Sequence, residues 1–558
     1  MKTLLITLNA KYIHTSLALR WLYVVNREKF HLNFREYTIK ENIHSIASDI
    51  IKDKYDIVGI SVSIWNVKQT EILVHKLKAL NPELIIILGG PEVSYEPAYF
   101  IDHWQVDYVV SGEGEFVLGE LLQAIQENRE NIRIDAVSSK HYISKHIAQA
   151  SIDELIKYPS PYQLEEDITE RKNRLSYFES SRGCPYHCQY CLSSLEKGVR
   201  YFPQAYIAEN LSYLLASDVK QIKFLDRTFN LNKKHTYFIY DFLIQHHREN
   251  LSIQFEIYAD LMDDAMITYL SESVPENYFR FEIGIQSTHE PTNIAIKRRQ
   301  NFELLSHNIK ALMAIEKIDL HVDLIAGLPY ENFERFKKSF NDVFALKAKE
   351  FQLGFLKLLR GTNLRKNAEL YGLIYEKEAP YEIIANNDIS REELNQIRDA
   401  EFIVDKYWNT GRFQLSMHYL FNNEYDNRYF DFFDEFGQFY KYQDFPKFAY
   451  QLEDLFRFLN QFLLSKDIQI FEILREDYYS NFNRRPHGFW QDELGKAKRK
   501  KLLYLIGQDK DFLEKHQLNR KTIEKQTAID PINENKFLLT VFLENNREQL
   551  EYEFIEEY

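Results

Sequence analysis

ESSRGCPYHCQYC, residues 179–191, holds all three cysteines of this 558-residue chain, Cys184, Cys188 and Cys191. Spacings of four and three match one face of a helix, so a stripe of buried thiols is the plain alternative reading. Gly183 and Pro185 bracket the first cysteine and break such a helix. The segment therefore reads as a loop that gathers thiolates. Structural zinc takes four protein ligands, and there is no fourth cysteine. His187 would complete a Cys₃His set, but it directly precedes Cys188, which makes ligation by both awkward. A [4Fe–4S] cluster normally takes four thiolates, one per iron. Three would leave one iron open to a substrate or cofactor.

Cys184-x₃-Cys188-x₂-Cys191, with aromatic Tyr190 before its last cysteine, resembles the signature loop of radical S-adenosylmethionine (SAM) enzymes. The wording of 179–191 resembles most the subgroup with an N-terminal cobalamin (B12)-binding domain. The resemblance implies a [4Fe–4S] cluster on the three cysteines and SAM chelated to the open iron. It further implies reductive cleavage to a 5′-deoxyadenosyl radical, with electrons from a reductase, flavodoxin or ferredoxin.

Downstream, alternating apolar runs at 174–185, 221–230, 253–260, 278–287, 320–329 and 350–359 read as strands. Helical patterns at 203–217, 232–248, 301–317 and 331–347 lie between them, the signature of parallel βαβ units. This matches the family's partial (β/α)₆ barrel, over 171–368. Glu256, Glu282 and Gln286 lie in otherwise apolar strands, where a polar group needs a partner. By resemblance, Glu256 and Gln286 fall where the family contacts SAM, and Asp226 lies near the cofactor, with Glu282 and Arg299 as further candidates. Ordinary ion pairs with Arg280, Arg298 or Arg299 are the alternative for these positions.

Residues 1–130 read as a doubly wound, Rossmann-like α/β domain, from strands at 3–10, 56–66, 84–92 and 106–115 and a helix at 66–80. Ligands of such sheets sit beyond the strand C-termini. Gly89-Gly90-Pro91 and Gly112-Glu113-Gly114-Glu115 are strand-end turns where glycine lets backbone approach a ligand. No G-x-G-x-x-G follows the first strand, so this is no dinucleotide fingerprint. Both turns resemble the cobalamin-holding loops of the subgroup, and Ser61, Ser63, Trp65 and Asn66 occupy the analogous loop. The D-x-H-x-x-G motif that supplies histidine to cobalt in many cobalamin proteins is lacking; His14 is the candidate in its place.

Confining every cysteine to one motif excludes a disulfide framework and fits a reducing cytoplasm. It also excludes the second cluster of methylthiotransferases and the auxiliary clusters of other relatives. Net charge of −14 gives no support to non-specific nucleic-acid or membrane binding, and no apolar run is long enough to cross a bilayer. Residues 131–170 read as a polar linker, and 369–558 as a mainly helical domain dense in Phe and Tyr. The stretch 475–490 resembles an uncharacterised C-terminal domain found on some cobalamin-type radical enzymes. It is expected to act as a substrate lid, with Tyr478, Tyr479, Arg484, Arg485, His487 and Trp490 as closing residues. The expected activity is methyl transfer to an unactivated carbon of a small molecule or peptide. Cyclisation, rearrangement or oxidation is the alternative within the enzyme class, and a cobalamin or cluster sensor the alternative outside it.

Overall fold

In the computed structural model, the run Thr3–Leu8 lies within β1 (Lys2–Asn9), flanked by β2 (His31–Thr38) and β3 (Ile57–Ser61). With β4 (Ile85–Gly89), β5 (Tyr108–Val110) and β6 (Val137–Ser139) they form a sheet of order β2-β1-β3-β4-β5-β6. The first five strands are parallel and β6 is antiparallel to β5. β1 is buried almost throughout because helices cover both faces, as parallel sheets require. β2 had no place in the sequence reading: its mixed HLNFREYT pattern belongs to a half-exposed edge strand. The expected linker is also corrected, since β6 and the bridge Gly112–Ala148 bring 137–148 into the first domain.

The barrel begins at β7 (Ser176–Phe178), followed by the short pair β8 (Ser181–Arg182) and β9 (Arg200–Tyr201) that brackets the cysteine loop. β10 (Gln221–Phe224), β11 (Ser252–Ile257), β12 (Phe279–Gln286), β13 (Asp319–Ala326) and β14 (Glu350–Phe355) follow. Their order β14-β13-β12-β11-β10-β7 is parallel and sequential, as repeated right-handed crossovers dictate. The crossover helices earn their places by pattern and cap. Phe333–Phe344 buries Phe336, Phe340, Val343 and Phe344 on one stripe, and Asn332 caps it by accepting from the Arg335 amide at 2.9 Å. On β12, Phe279, Phe281, Ile283 and Ile285 face the helices, while Arg280, Glu282, Gly284 and Gln286 face the lumen.

All residues are described except 197, 486–493, 533–534, 544–546 and 555–558. Both domains above belong to one unit, Met1–Asn395; the second unit is Gln396–Tyr558. The barrel unit outlasts its expected end at 368. Strands β15 (Ile374–Tyr375) and β16 (Ile383–Ala385) add a hairpin, and Ile383 donates its amide to the Leu356 carbonyl at 2.9 Å.

The second unit packs aromatic helices such as Tyr429–Tyr442 and Leu452–Leu464, whose Phe436 and Phe462 rings stack at 4.6 Å. The unit is mainly helical, as expected, and also holds an antiparallel sheet of β17 (Thr527–Pro531), β18 (Lys536–Phe542) and β19 (Arg547–Glu553).

Candidate functional site

Beyond the C-terminal ends of the first sheet lies a cleft of about 950 Å³. Its walls include Ser61, Ser63 and Trp65 after β3, Gly89, Gly90 and Pro91 after β4, and Gly112–Glu115 after β5. The same cleft reaches Leu192, Ser193, Leu195 and Glu196 of the cysteine loop, and Arg227 after β10. Residues 145–149, from the segment read as linker, form another wall. The volume is at the upper end of ordinary small-molecule pockets.

Glycine works here differently from the sequence expectation. Gly90 (φ +102°) and Gly112 (φ +91°) adopt the left-handed conformation. A Cβ on Gly90 would stand 2.6 Å from the Val62 carbonyl oxygen, and one on Gly112 would overlap the Ala148 backbone. Gly90 lets its loop touch the one after β3, and Gly112 lets its loop touch the wall at 145–149, while both line the cleft. Gly114, with φ −88°, has only ordinary neighbours at 3.4 Å and beyond.

Asn66 is fully buried and does not line the cleft. Its amide donates to the Leu8 and Ser61 carbonyls, both at 3.1 Å, and accepts from the Ser63 amide at 2.8 Å, tying β1 to β3. His14 also lies off the cleft, 2.9 Å from the Tyr177 hydroxyl. Glu113 and Glu115 are engaged by arginines: Arg182 lies 3.0 Å from Glu113, 2.8 Å from Glu115 and 2.8 Å from Glu179, and Arg200 also grips Glu113. Burial works to raise the Glu113 pKa, but Arg200 and Arg182 win and hold it low. Burial wins at Glu115 and lifts it. These two carboxylates fasten the loop after β5 to the strands β8 and β9 that bracket the cysteine loop.

In the cluster loop Cys184 and Cys188 are buried and Cys191 is half-buried. Burial pushes the Cys184 and Cys188 thiols up, with Arg298 opposing at Cys188. Among the described residues no three His, Cys, Asp or Glu side chains converge closely enough to bind one ion. A four-iron cluster asks for a wider triangle, one thiolate per iron, and this donor set of three thiols fits it.

The other candidates separate. Glu256 is raised by burial, and its ion pair with Arg227 is a loose 3.7 Å contact. Gln286 (φ +72°) has a buried side-chain oxygen with no partner among the described residues. These two retain unspent polar capacity facing the lumen. Glu282 is spent on Lys223 at 2.8 Å, with His321 at 3.7 Å. Asp226 is buried and accepts from the Ser180 amide at 2.9 Å and from the Ser180 and Ser181 hydroxyls at 2.6 Å, which anchors the strand entering the cluster loop. Arg299 is exposed; its neighbour Arg298 is the buried one, beside Tyr190.

Sequence reading did not assign Arg182, Arg227 or Tyr95, and named Arg298 only as a possible ion-pair partner of the barrel carboxylates. Tyr95 lines the cleft, and burial with nearby Glu196 and Cys191 lifts it to about 12. Arg182 stood inside the quoted motif, yet nothing in sequence paired it with Glu115.

In the second unit four of the expected closing residues are engaged within the unit, Tyr478 and Tyr479 buried, Arg485 half-buried and Arg484 exposed. Tyr478 donates to Glu453 at 2.9 Å, Tyr479 to Asp530 at 3.0 Å, Arg485 pairs with Asp530 at 2.8 Å, and Arg484 with Glu453 at 3.0 Å. Tyr478 and Tyr479 are core residues with no ring face left for a substrate. His487 and Trp490 lie outside the described residues.

A parallel sheet whose loops open on a cleft shared with a three-cysteine barrel loop defines a class, and family comparisons agree. The B12 binding domain model matches residues 3–122, the Radical SAM superfamily model 178–343, and a protein of unknown function model, DUF4080, 369–552. The chain thus carries a B12-binding domain, a radical SAM domain and a DUF4080 domain, in that order.

Among its relatives, an uncharacterised methyltransferase of Pyrococcus horikoshii is 32% identical over 198 residues, 34% of this chain and 43% of that protein. The cobalamin-dependent radical SAM methyltransferase TokK of Streptomyces tokunonensis is 23% identical, over 59% of this chain and 51% of its own. The chain spans about half the length of these curated relatives. The solved cobalamin-dependent radical enzyme OxsB, with aqua-cobalamin bound, shares the fold at a TM-score of 0.61 and 15% identity, over 87% of this chain and 81% of its own.

Proposed function

We propose that this protein is a cobalamin-dependent radical SAM methyltransferase acting on an unactivated carbon. The observation that carries the reading is the single cleft running from the loops after β3, β4 and β5 to the cysteine loop. When bound, a four-iron cluster with SAM supplies one-electron cleavage to a 5′-deoxyadenosyl radical, and cobalamin supplies a methyl carrier.

Cys184, Cys188 and Cys191 would hold the cluster. Asp226, through Ser180 and Ser181, fixes the strand that delivers them. Glu256 and the Gln286 oxygen, which has no partner among the described residues, offer acceptors for hydroxyl or amine donors of SAM. The loops at 61–65, 89–91 and 112–115, with 145–149 as cover, would hold cobalamin and exclude water from the reacting carbon. Electrons would come from a separate flavodoxin, ferredoxin or reductase. Among the described residues no helix is long and apolar enough to cross a membrane.

The test is anaerobic reconstitution followed by chemical reduction with SAM. The reading expects about one four-iron cluster per chain and reductive release of 5′-deoxyadenosine. It also expects S-adenosylhomocysteine formation that requires added cobalamin. Release of 5′-deoxyadenosine without cobalamin-dependent S-adenosylhomocysteine would favour cyclisation, rearrangement or oxidation. Neither product would leave a sensor.

A further inference from the structure

Beside the cysteine loop the protein inverts its own charge. Over 290–300 and 363–371 five lysines and arginines stand against two acids, Glu290 and Glu369, although the chain carries −14 overall. Both segments are tied to the loop. The Gln189 amide donates to the Ile296 carbonyl at 2.9 Å, and the Leu364 amide donates to the Gln189 carbonyl at 3.0 Å. A residue between Cys188 and Cys191 is thus held from either side. Lys297, Arg299 and Lys366, close to these tethers in the chain, are exposed, and none forms an ion pair among the described residues. His187, between Cys184 and Cys188, is exposed too, so the loop that carries the thiols itself reaches the surface.

The two segments meet again further on. Thr292 donates its hydroxyl to the Pro329 carbonyl at 2.9 Å, and the next residue, Tyr330, sets its ring edge-on to Tyr371 at 5.7 Å. The helix Glu290–Ala295, the turn at 329–330, the stretch 363–371 and Gln189 therefore close into a ring of contacts. On that ring Ile294 and Leu370 are each 69% exposed and Tyr330 51%. Tyr330 is held in the left-handed region (φ +63°), which a tyrosine rarely adopts, with its amide fixed on Asp388 at 2.7 Å. Exposed apolar side chains rimmed by charge have the anatomy of a partner surface. None of these exposed residues lines the cleft, so the face is separate from the one that opens on the cobalamin-side loops.

We infer that this face docks an acidic flavin protein that delivers single electrons to the cysteine loop. The inference rests on the cluster reading above. The chain has no cysteine beyond these three, hence no second thiolate-bound cluster to relay an electron inward, and transfer weakens steeply with distance. A carrier must therefore sit against the loop. Local positive charge draws an acidic carrier to Lys297 and Lys366 on a protein whose net charge would otherwise repel it. The apolar centre of Ile294, Tyr330 and Leu370 suits the dimethylbenzene edge of a flavin. In the step, a flavin hydroquinone gives up one electron and becomes the semiquinone, while the oxidised cluster takes that electron; no atom is transferred.

The test uses the full chain, reconstituted anaerobically, with an acidic bacterial flavodoxin as probe and titanium(III) citrate as a reductant that needs no docking. Two readings are taken: the Kd for flavodoxin, and 5′-deoxyadenosine release with each reductant. Wild type should bind flavodoxin less tightly as salt rises, because surface charge is screened. K297E/K366E should weaken binding about tenfold or more and slow flavodoxin-driven release in step, with iron content and titanium-driven release unchanged. If the reversed chain fails to load iron, K297Q/K366Q decides by the same two readings. Undiminished flavodoxin binding by the loaded variant overturns the inference. So does an equal loss with titanium(III) citrate, a wild-type dimer that the reversal splits, or charge-dependent binding of a ferredoxin but not of flavodoxin. Wild type that works with titanium(III) citrate and never with flavodoxin overturns the docking face alone. Wild type that releases nothing with either reductant overturns the cluster reading and this inference together.

Discussion

Arg182, two residues before Cys184, reaches Glu115 at 2.8 Å across from the loop after β5. One guanidinium thereby sets the B12-side cleft wall and the cluster loop in a single frame, with Glu113 at 3.0 Å and Glu179 at 2.8 Å as its other anions. Trp21 adds a donor to Glu179 at 2.6 Å.

Removing that guanidinium leaves buried Glu115 without its ion pair and takes one partner each from Glu113, which keeps Arg200, and Glu179, which keeps Trp21. Arg182→Met should cost about 3–5 kcal/mol, the usual penalty for breaking a buried pair from one side. Urea unfolding of the metal-free protein, followed by tryptophan fluorescence, reads it. A loss below about 0.5 kcal/mol would class Arg182 with surface charges.

Ser180 joins two buried groups of opposite habit, Asp226 and His235, its hydroxyl lying 2.9 Å from the imidazole Nε2. Burial lifts Asp226 from 3.8 to about 6 and drops His235 from 6.5 to about 4. Between those values the folded chain keeps a proton on Asp226 that the unfolded chain releases, so this group lowers stability as pH rises. The folded imidazole refuses a proton that the unfolded one accepts, so His235 raises stability as pH rises. His235→Gln removes only the second effect. Its stability deficit against wild type should grow from pH 4.5 to 6.5; urea midpoints that run parallel over this range would contradict it.

Gly112 and Gly114 make a controlled comparison. Gly112→Ala places a Cβ against Ala148 in a left-handed backbone, and should cost about 1–3 kcal/mol without any cobalamin present. Gly114→Ala, with ordinary contacts and φ −88°, should stay within about 0.5 kcal/mol. Thermal unfolding of cobalamin-free protein decides it: equal melting temperatures for the two variants would mean that the Ala148 contact is not limiting.

A chain ended at 395 should keep the cluster and SAM chemistry of the first unit, whereas one ended at 368 should be unstable. The shorter chain loses Tyr381, which bonds Arg360 at 3.1 Å and also Glu92, and Ile383, the side chain that covers Gly327. Limited proteolysis and iron content after reconstitution measure both. A 1–368 chain as protease-resistant as 1–395 would refute the role given to the β15–β16 hairpin.

Much of the fold is local and so was legible in the chain. Apolar runs such as Leu84–Leu88 and alternations such as Phe279–Gln286 announce strands because burial on two faces or one leaves its period in the sequence. The cysteine loop is equally local: three thiols within eight residues, with Gly183 and Pro185 forbidding a helix, define a cluster-type donor set before any folding is considered. What the sequence could not decide is how side chains far apart are used. Glu113 and Glu115 look like ligand residues until Arg182 and Arg200 arrive from about 70 to 90 residues away. Arg298 and Arg299 are indistinguishable neighbours until the turn after Glu290–Ala295 buries one and exposes the other. The difference is physical. Periodicity is written by the surface each residue must hide, whereas charge pairing depends on the distance and burial that only the packed chain creates.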